Sequence, residues 1–257
     1  MILAIDIGNT ITEIGAYEGD GLLFVSRILT AINKTEAEYA VLIRDVIRLY
    51  RQDERALTGA IISSVVPSLT QRLHKAVALI EPVKILQIGP GIRTGLNIRI
   101  DNPAQLGADF VATAIGAMEK YPLPAVIIDL GTATKFSLID EKRMFIGGSI
   151  MPGVTVALEA LSNQAAQLPH IGLEKQVSLI GTNTEDCMKS GVLYGTASMI
   201  DGMLDRYEEK IGPAKTVVAY GQLVNTIIPQ CRHKILVDET LLLDGLYAIY
   251  RRNSDRI

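Results

Sequence analysis

Two short stretches of the chain carry the same polar groups in the same order. Asp6-Ile7-Gly8-Asn9-Thr10 closes the apolar run that begins the chain, and Asp129-Leu130-Gly131-Thr132-Ala133-Thr134 closes the run 125–128. An aspartate at a strand end is a fixed carboxylate, and a glycine two residues on lets backbone approach a ligand closely. Asn9, Thr10, Thr132 and Thr134 add neutral groups suited to phosphate oxygens. Two such loops facing across a cleft would hold a nucleoside triphosphate and its Mg²⁺, with Asp6 and Asp129 near the metal, often through water. The same residue types also build ordinary tight turns, so either loop alone is compatible with a purely structural role. The P-loop pattern G-x-x-x-x-G-K-[ST] and the protein-kinase motif set are both absent.

The loops need elements to position them. The opening reads as three strands, 2–5, 11–17 and 22–29, separated by Gly and Asp turns. Thr35 and Glu38 form a T-x-x-E capping box that predicts a helix to about Tyr50, with Ala37, Val41, Ile47 and Leu49 as its apolar residues. A buried strand follows at 59–63, a helix from Pro67 at N1 to Ile80, and a strand at 83–88. Asp101-Asn102-Pro103 opens a helical pattern that runs to Tyr121, where Pro122 and Pro124 stop it. The plan then restarts, with strands at 125–130, 135–139 and 143–150, helices at 154–162 and 184–211, a strand at 216–219 and helices at 223–228 and 241–251. Self-similarity half a chain apart predicts two like-folded α/β halves, taken as residues 1–118 and 119–257.

The bulk properties bound the partners. The 257 residues are 48% hydrophobic and 21% charged, with a formal charge of −3, so no basic surface for nucleic acid is expected. Cys187 and Cys231 have no metal-ligand spacing and are expected to be buried thiols in a reducing compartment. His74, His170 and His233 lie far apart, again without ligand spacing. The chain shows neither a secretory leader pattern nor an apolar run near the ~18 residues that would suggest a membrane helix. A cytoplasmic protein is the expectation.

Read as a set, DIGNT at 6–10, SSVVP at 63–67, GPGIRTGL at 89–96, NPAQLGAD at 102–109, DLGTAT at 129–134, GGSIMPG at 147–153 and GLYAIYRRN at 245–253 resemble the type III pantothenate kinases. These belong to the acetate kinase, sugar kinase and actin superfamily. The resemblance implies two ribonuclease-H-like (actin-like ATPase) domains with mixed sheets around a central cleft. It also implies transfer of the γ-phosphoryl of ATP to the terminal hydroxyl of pantothenate, giving 4′-phosphopantothenate, the first step of coenzyme A synthesis.

The resemblance further assigns residues. Asp109 matches the general base. Asp6, Gly8, Asn9 and Thr10 match the first phosphate and metal loop, and Thr132 matches an ATP contact. Asp129 matches the position that binds a monovalent cation, K⁺ or NH₄⁺. Gly107, Ala108 and Thr184 match the pantothenate site, the last reaching the substrate across a homodimer interface.

Four positions depart from the family pattern. Phe110 stands where the family has an arginine that contacts pantothenate, and a benzene ring cannot imitate a planar cation with five donors. Ile100 replaces a tyrosine of the substrate pocket. Lys135 replaces a hydroxyl residue after the second loop, where strand alternation could turn it away from the ligand. Tyr220-Gly221-Gln222 replaces a Thr-Gly-Gly stretch on the nucleotide side. Besides an active pantothenate kinase, these departures leave open a kinase for a more apolar hydroxyl compound and a non-catalytic relative that binds nucleotide or ligand and acts through a partner.

Overall fold

The computed structural model describes residues 1–165, 167–173 and 178–254. They form two compact units, one of Met1–Lys120 with the C-terminal segment from Thr240, the other of Tyr121–Glu239.

The first unit contains strands β1 (Ile2–Ile7), β2 (Ile11–Glu18) and β3 (Gly21–Leu29), helix α1 (Glu36–Leu49), strand β4 (Gly59–Ser64), helix α2 (Pro67–Ile80), strand β5 (Ile85–Gln87) and helix α3 (Ala108–Lys120). The second contains β6 (Ala125–Leu130), β7 (Ala133–Ile139), β8 (Met144–Pro152), α4 (Val154–Gln164), α5 (Thr184–Ile211), β9 (Thr216–Gly221), α6 (Val224–Ile227) and β10 (Leu236–Val237). Helix α7 (Leu241–Ser254) ends the described chain.

The first sheet has the order β3-β2-β1-β4-β5, and five of the six strands of the second repeat it as β8-β7-β6-β9-β10. Orientations repeat as well. β1–β2 and β2–β3 are antiparallel and β1–β4 and β4–β5 parallel, as are β6–β7, β7–β8, β6–β9 and β9–β10 in turn. The mixed α/β fold and the internal duplication read from the two aspartate loops are both present.

Capping explains several helix limits. The Thr35 hydroxyl accepts from the Glu38 backbone N–H at 3.3 Å, and the Thr35 backbone N–H donates to Glu38 Oε2 at 2.8 Å, closing the expected box. Pro67 sits in the first turn of α2. Asn183 caps α5 through the Asp186 N–H at 2.9 Å, and Gly212 ends it with φ of 82°.

Three expectations need correction. In α1 the buried residues are Tyr39, Ala40, Ile43, Val46 and Ile47, whereas Val41 and Leu49 are exposed. The buried stripe falls at i, i+1, i+4, i+7 and i+8 from Tyr39, one face of the helix. The helix expected from Asn102 to Tyr121 is broken: Asn102 caps only a 3₁₀ turn at Pro103–Gln105, Leu106 is extended with φ −69° and ψ 121°, and α3 starts afresh at Ala108. Of the two cysteines, Cys187 is exposed and Cys231 half-buried, because Cys187 lies on the outward side of the first turn of α5.

Helix α7 follows the second sheet in sequence but packs in the first unit, against α3, β1, β2 and β4. Two glycines make that approach possible. A Cβ on Gly245 would lie 1.8 Å from the carbonyl oxygen of Ala112, and one on Gly116 2.1 Å from that of Leu241. Asp244 then fastens the helix, accepting from Tyr17 Oη at 2.7 Å, Lys120 Nζ at 2.7 Å and Thr240 Oγ1 at 2.6 Å. Placing all of 119–257 in the C-terminal half therefore gives α7 to the wrong packing unit. Among the described residues no helix is long and apolar enough to cross a membrane.

Candidate functional site

The first loop is a hairpin of three residues between β1 and β2. The Gly8 N–H donates to the Ile11 carbonyl at 3.0 Å, and a Cβ on Gly8 would sit 2.8 Å from that oxygen, so a side chain there would open the turn. Thr30 holds the loop from outside, its hydroxyl donating to the Gly8 carbonyl at 2.8 Å and its N–H to the Thr10 carbonyl at 2.9 Å. Asn9 and Thr10 are exposed at the tip, while Asp6 is buried at the strand end.

Register sets what surrounds Asp6. Ser63 of β4, Asp6 of β1, Glu13 of β2 and Arg27 of β3 are direct partners in one row across four strands. Direct partners point to the same side of a sheet. Arg27 Nε donates to Glu13 Oε1 at 2.6 Å, and the Ser63 hydroxyl is buried with no hydrogen-bond partner among the described residues. Asp6 thus lies between the unsatisfied Ser63 hydroxyl and a carboxylate already paired with Arg27, and among the described residues no cluster of three metal-ligating side chains forms.

The second loop has two residues, Gly131 and Thr132, between β6 and β7. It is held from beneath by Gly153, whose N–H donates to the Thr132 carbonyl at 3.1 Å. A Cβ on Gly153 would lie 2.3 Å from the Thr132 oxygen and 2.4 Å from that of Gly131. Gly221 closes the other side with φ of 114°, its Cβ direction meeting the Leu130 carbonyl at 2.7 Å. Thr132 is exposed, and Thr134 Oγ1 is buried without a hydrogen-bond partner among the described residues.

The row equivalent to that of Asp6 runs Tyr220 of β9, Asp129 of β6, Lys135 of β7 and Ile150 of β8. Lys135 Nζ lies 2.6 Å from Asp129 Oδ2, with the two side chains 17% and 13% exposed. Alternation thus turns Lys135 toward Asp129 and not away from it. Two of the four departures, Lys135 and Tyr220, flank the same carboxylate.

Asp109 lies in the first turn of α3, 8% exposed. Its Oδ1 accepts the Phe110 N–H at 2.9 Å, and its own carbonyl accepts from Thr113 Oγ1 at 3.0 Å. The glycine of Gly107-Ala108-Asp109 has a local reason, since a Cβ on Gly107 would lie 2.5 Å from Asp109 Oδ1. An acidic side chain in a first helical turn suits the positive end of the helix dipole. Ala108, Phe110 and Ile100 are half-buried.

Thr184 opens α5 and is exposed, in a hollow lined by Leu161, Asn183, Cys187, Met188 and Val192. The structure therefore gathers Asp6, Gly8, Asn9 and Thr10 in one hairpin, Gly107, Ala108, Asp109 and Phe110 in one helix start, and Asp129 with Thr132 in a second hairpin. Thr184 stands on a separate element of the second unit.

Glu13 and the pairing role of Lys135 escape a reading by motif, and Ser63 and Gly153 fall within the SSVVP and GGSIMPG stretches without a role assigned to them. The signal for Glu13 and Lys135 was available in hairpin register, counted outward from each loop. For Ser63 and Gly153 it lies in contacts distant in sequence.

A family model described as type III pantothenate kinase matches residues 2–206. The type III pantothenate kinase of Halalkalibacterium halodurans is 40% identical over 253 residues, covering 98% of this chain and 100% of that one. That of Exiguobacterium sibiricum is 41% identical over 254 residues, covering 99% and 100%. Among solved structures, the ROK hexokinase of Thermus thermophilus aligns with a TM-score of 0.54 at 13% identity over 98% of this chain and 99% of its own. The activator of the 2-hydroxyisocaproyl-CoA dehydratase of Clostridium difficile, solved with bound ADPNP, aligns at 0.55 and 14% over 99% and 96%. These two likenesses carry the fold, that of the sugar kinases and actin-like ATPases, and the sequence relatives carry the lineage: the chain belongs to the type III pantothenate kinase family.

Proposed function

We propose that this chain transfers the γ-phosphoryl group of ATP to the 4′-hydroxyl of pantothenate, the step that opens coenzyme A synthesis. The observation that carries the reading is family membership over the whole length, with 40% identity to a protein named for that activity.

Within it, Asp109 is the base. It accepts the hydroxyl proton as the pantothenate oxygen attacks the γ-phosphorus and the bond to the β–γ bridging oxygen breaks, releasing ADP. The Phe110 N–H and the space left by Gly107 fix the carboxylate in one orientation, and fixed orientation is most of what a phosphoryl transferase has to supply. Gly8, Asn9 and Thr10 offer the first phosphate loop, and Thr132 meets ATP from the second. Asp6 would hold Mg²⁺, which when bound neutralises charge on the phosphates. The half-buried surface of Ile100, Gly107, Ala108 and Phe110 receives the acceptor, and Thr184 reaches the acceptor of a second copy in a homodimer. A monovalent cation does not fit beside Asp129 in the same way, because an ammonium group of the chain already pairs with that carboxylate.

The test is ADP release with pantothenate and MgCl₂, with the product identified by mass. Pantothenate-dependent turnover is expected; ATP binding by calorimetry without such turnover would overturn the reading. A second reading, a kinase for a more apolar hydroxyl compound, is favoured by the apolar side chains at 100 and 110. Phe110→Arg separates the two: a lower KM for pantothenate supports the first, and an unchanged KM the second.

A further inference from the structure

The two aspartate loops are equivalent in topology but opposite in charge. Beside Asp6 the row continues to Glu13, whose carboxylate is taken by Arg27. Beside Asp129 it continues to Lys135, whose Nζ is 2.6 Å from Asp129 Oδ2. The geometry is imposed by backbone pairing, since directly opposed residues of an antiparallel pair place their Cβ atoms about 4.5–5.5 Å apart on one face. Tyr220, 6% exposed, is the partner of Asp129 on the opposite side. Gly131 leaves room above the carboxylate, a Cβ there lying 3.1 Å from Asp129 Oδ1.

A lysine ammonium is a compact cation with three donors, in chemistry a tethered alkylammonium ion. Its tether holds it beside Asp129 at an effective concentration that a dissolved salt at ordinary levels does not match. A K⁺ or NH₄⁺ ion would have to displace it, or sit beside it against like-charge repulsion in a largely buried place.

We propose that Lys135 is the built-in counter-ion of Asp129, doing in this chain what an exchangeable monovalent cation does at the matching carboxylate in the family, so that this protein works without K⁺ or NH₄⁺. The inference rests on the kinase reading for its catalytic consequence, and on the ion pair alone for its structural one.

The experiment has two arms, each at constant ionic strength with choline chloride replacing KCl or NH₄Cl. In the first, wild-type turnover is expected to be the same in all three salts. Lys135→Thr is expected to lose about tenfold or more in choline, as loss of one charge-assisted contact predicts, and to regain it in K⁺ or NH₄⁺. Wild type activated tenfold by K⁺, or a Lys135→Thr enzyme indifferent to the salt, would overturn the proposal. In the second arm, which needs no turnover, the melting temperature of Lys135→Thr is expected to rise by about 2 °C or more in KCl over choline through ion binding to the folded state, and that of wild type to stay level. The reverse pattern would overturn it. Lys135→Met, which keeps the apolar stem, repeats both arms should the threonine variant fold poorly. A protein that turns over no pantothenate yet shows the expected melting pattern would sink the kinase reading and leave the counter-ion standing.

Discussion

Lys135 and Asp129 face each other directly across the β6–β7 ladder, Nζ to Oδ2 at 2.6 Å, in a row that also contains Tyr220. Both side chains are largely out of water, so removing one partner strands the other's charge, whereas removing both does not. Asp129→Asn and Lys135→Met should each destabilise the fold, and the double variant should fall short of their sum by about 1–3 kcal/mol in urea unfolding. Strict additivity would show that the pair is only apposed and not coupled.

The backbone beneath the second loop makes a sharper steric prediction. A methyl on Gly153 would lie 2.3 Å from one carbonyl oxygen and 2.4 Å from another, so Gly153→Ala should cost about 1–3 kcal/mol by forcing the loop outward. Gly195, exposed in α5 with nothing within 4 Å of its Cβ direction, provides the opposite sign. Gly195→Ala should stabilise by about 0.4–1 kcal/mol through the unfolded chain. Equal effects at the two positions in thermal melts would contradict the account.

Much of the first unit depends on its last helix. Gly245→Ala would bring a methyl to 1.8 Å from the Ala112 carbonyl and should separate α7 from α3 at a cost above about 3 kcal/mol. Hydrogen exchange should then speed up in both helices. A neutral melting temperature would mean that the two helices can slide apart without loss.

The capping box supplies a pH dependence. The Thr35 backbone N–H and hydroxyl hold the Glu38 carboxyl below its ordinary value. A carboxyl with a depressed folded pKa stabilises above its unfolded pKa, and that contribution disappears as the pH falls through the folded value. Wild type should therefore exceed Glu38→Gln in stability near neutrality, with the gap closing in acid, below the ordinary glutamate range. A gap independent of pH would place the effect elsewhere.

Legibility in the sequence followed the range of the interactions. The Thr35 box, Pro67 at N1 and the 184–211 helix depend on neighbours within one or two turns, and each could be read from the string. The duplication showed itself because both loops need the same aspartate and glycine. The break at Leu106 did not show, because nothing in an Asn-Pro start says that it will cap a 3₁₀ turn and stop. The homing of α7 to the first unit depends on Gly116 and Gly245 meeting across more than a hundred residues, and no local pattern announces that. Lys135 is the instructive case at the site. Its identity marked a departure, but its meaning came from register, which places it opposite Asp129 and makes a substitution into a counter-ion.

The claim on which the functional account turns is that Asp109, fixed at the start of α3, takes the proton of the pantothenate hydroxyl. Pantothenate-dependent phosphoryl transfer by Asp109→Asn, measured beside ATP affinity from calorimetry, tests it most directly. The account predicts that turnover falls about a hundredfold or more, the range for loss of a general base, while ATP affinity stays that of the wild type. Turnover within a few-fold of wild type with ATP still bound would contradict it.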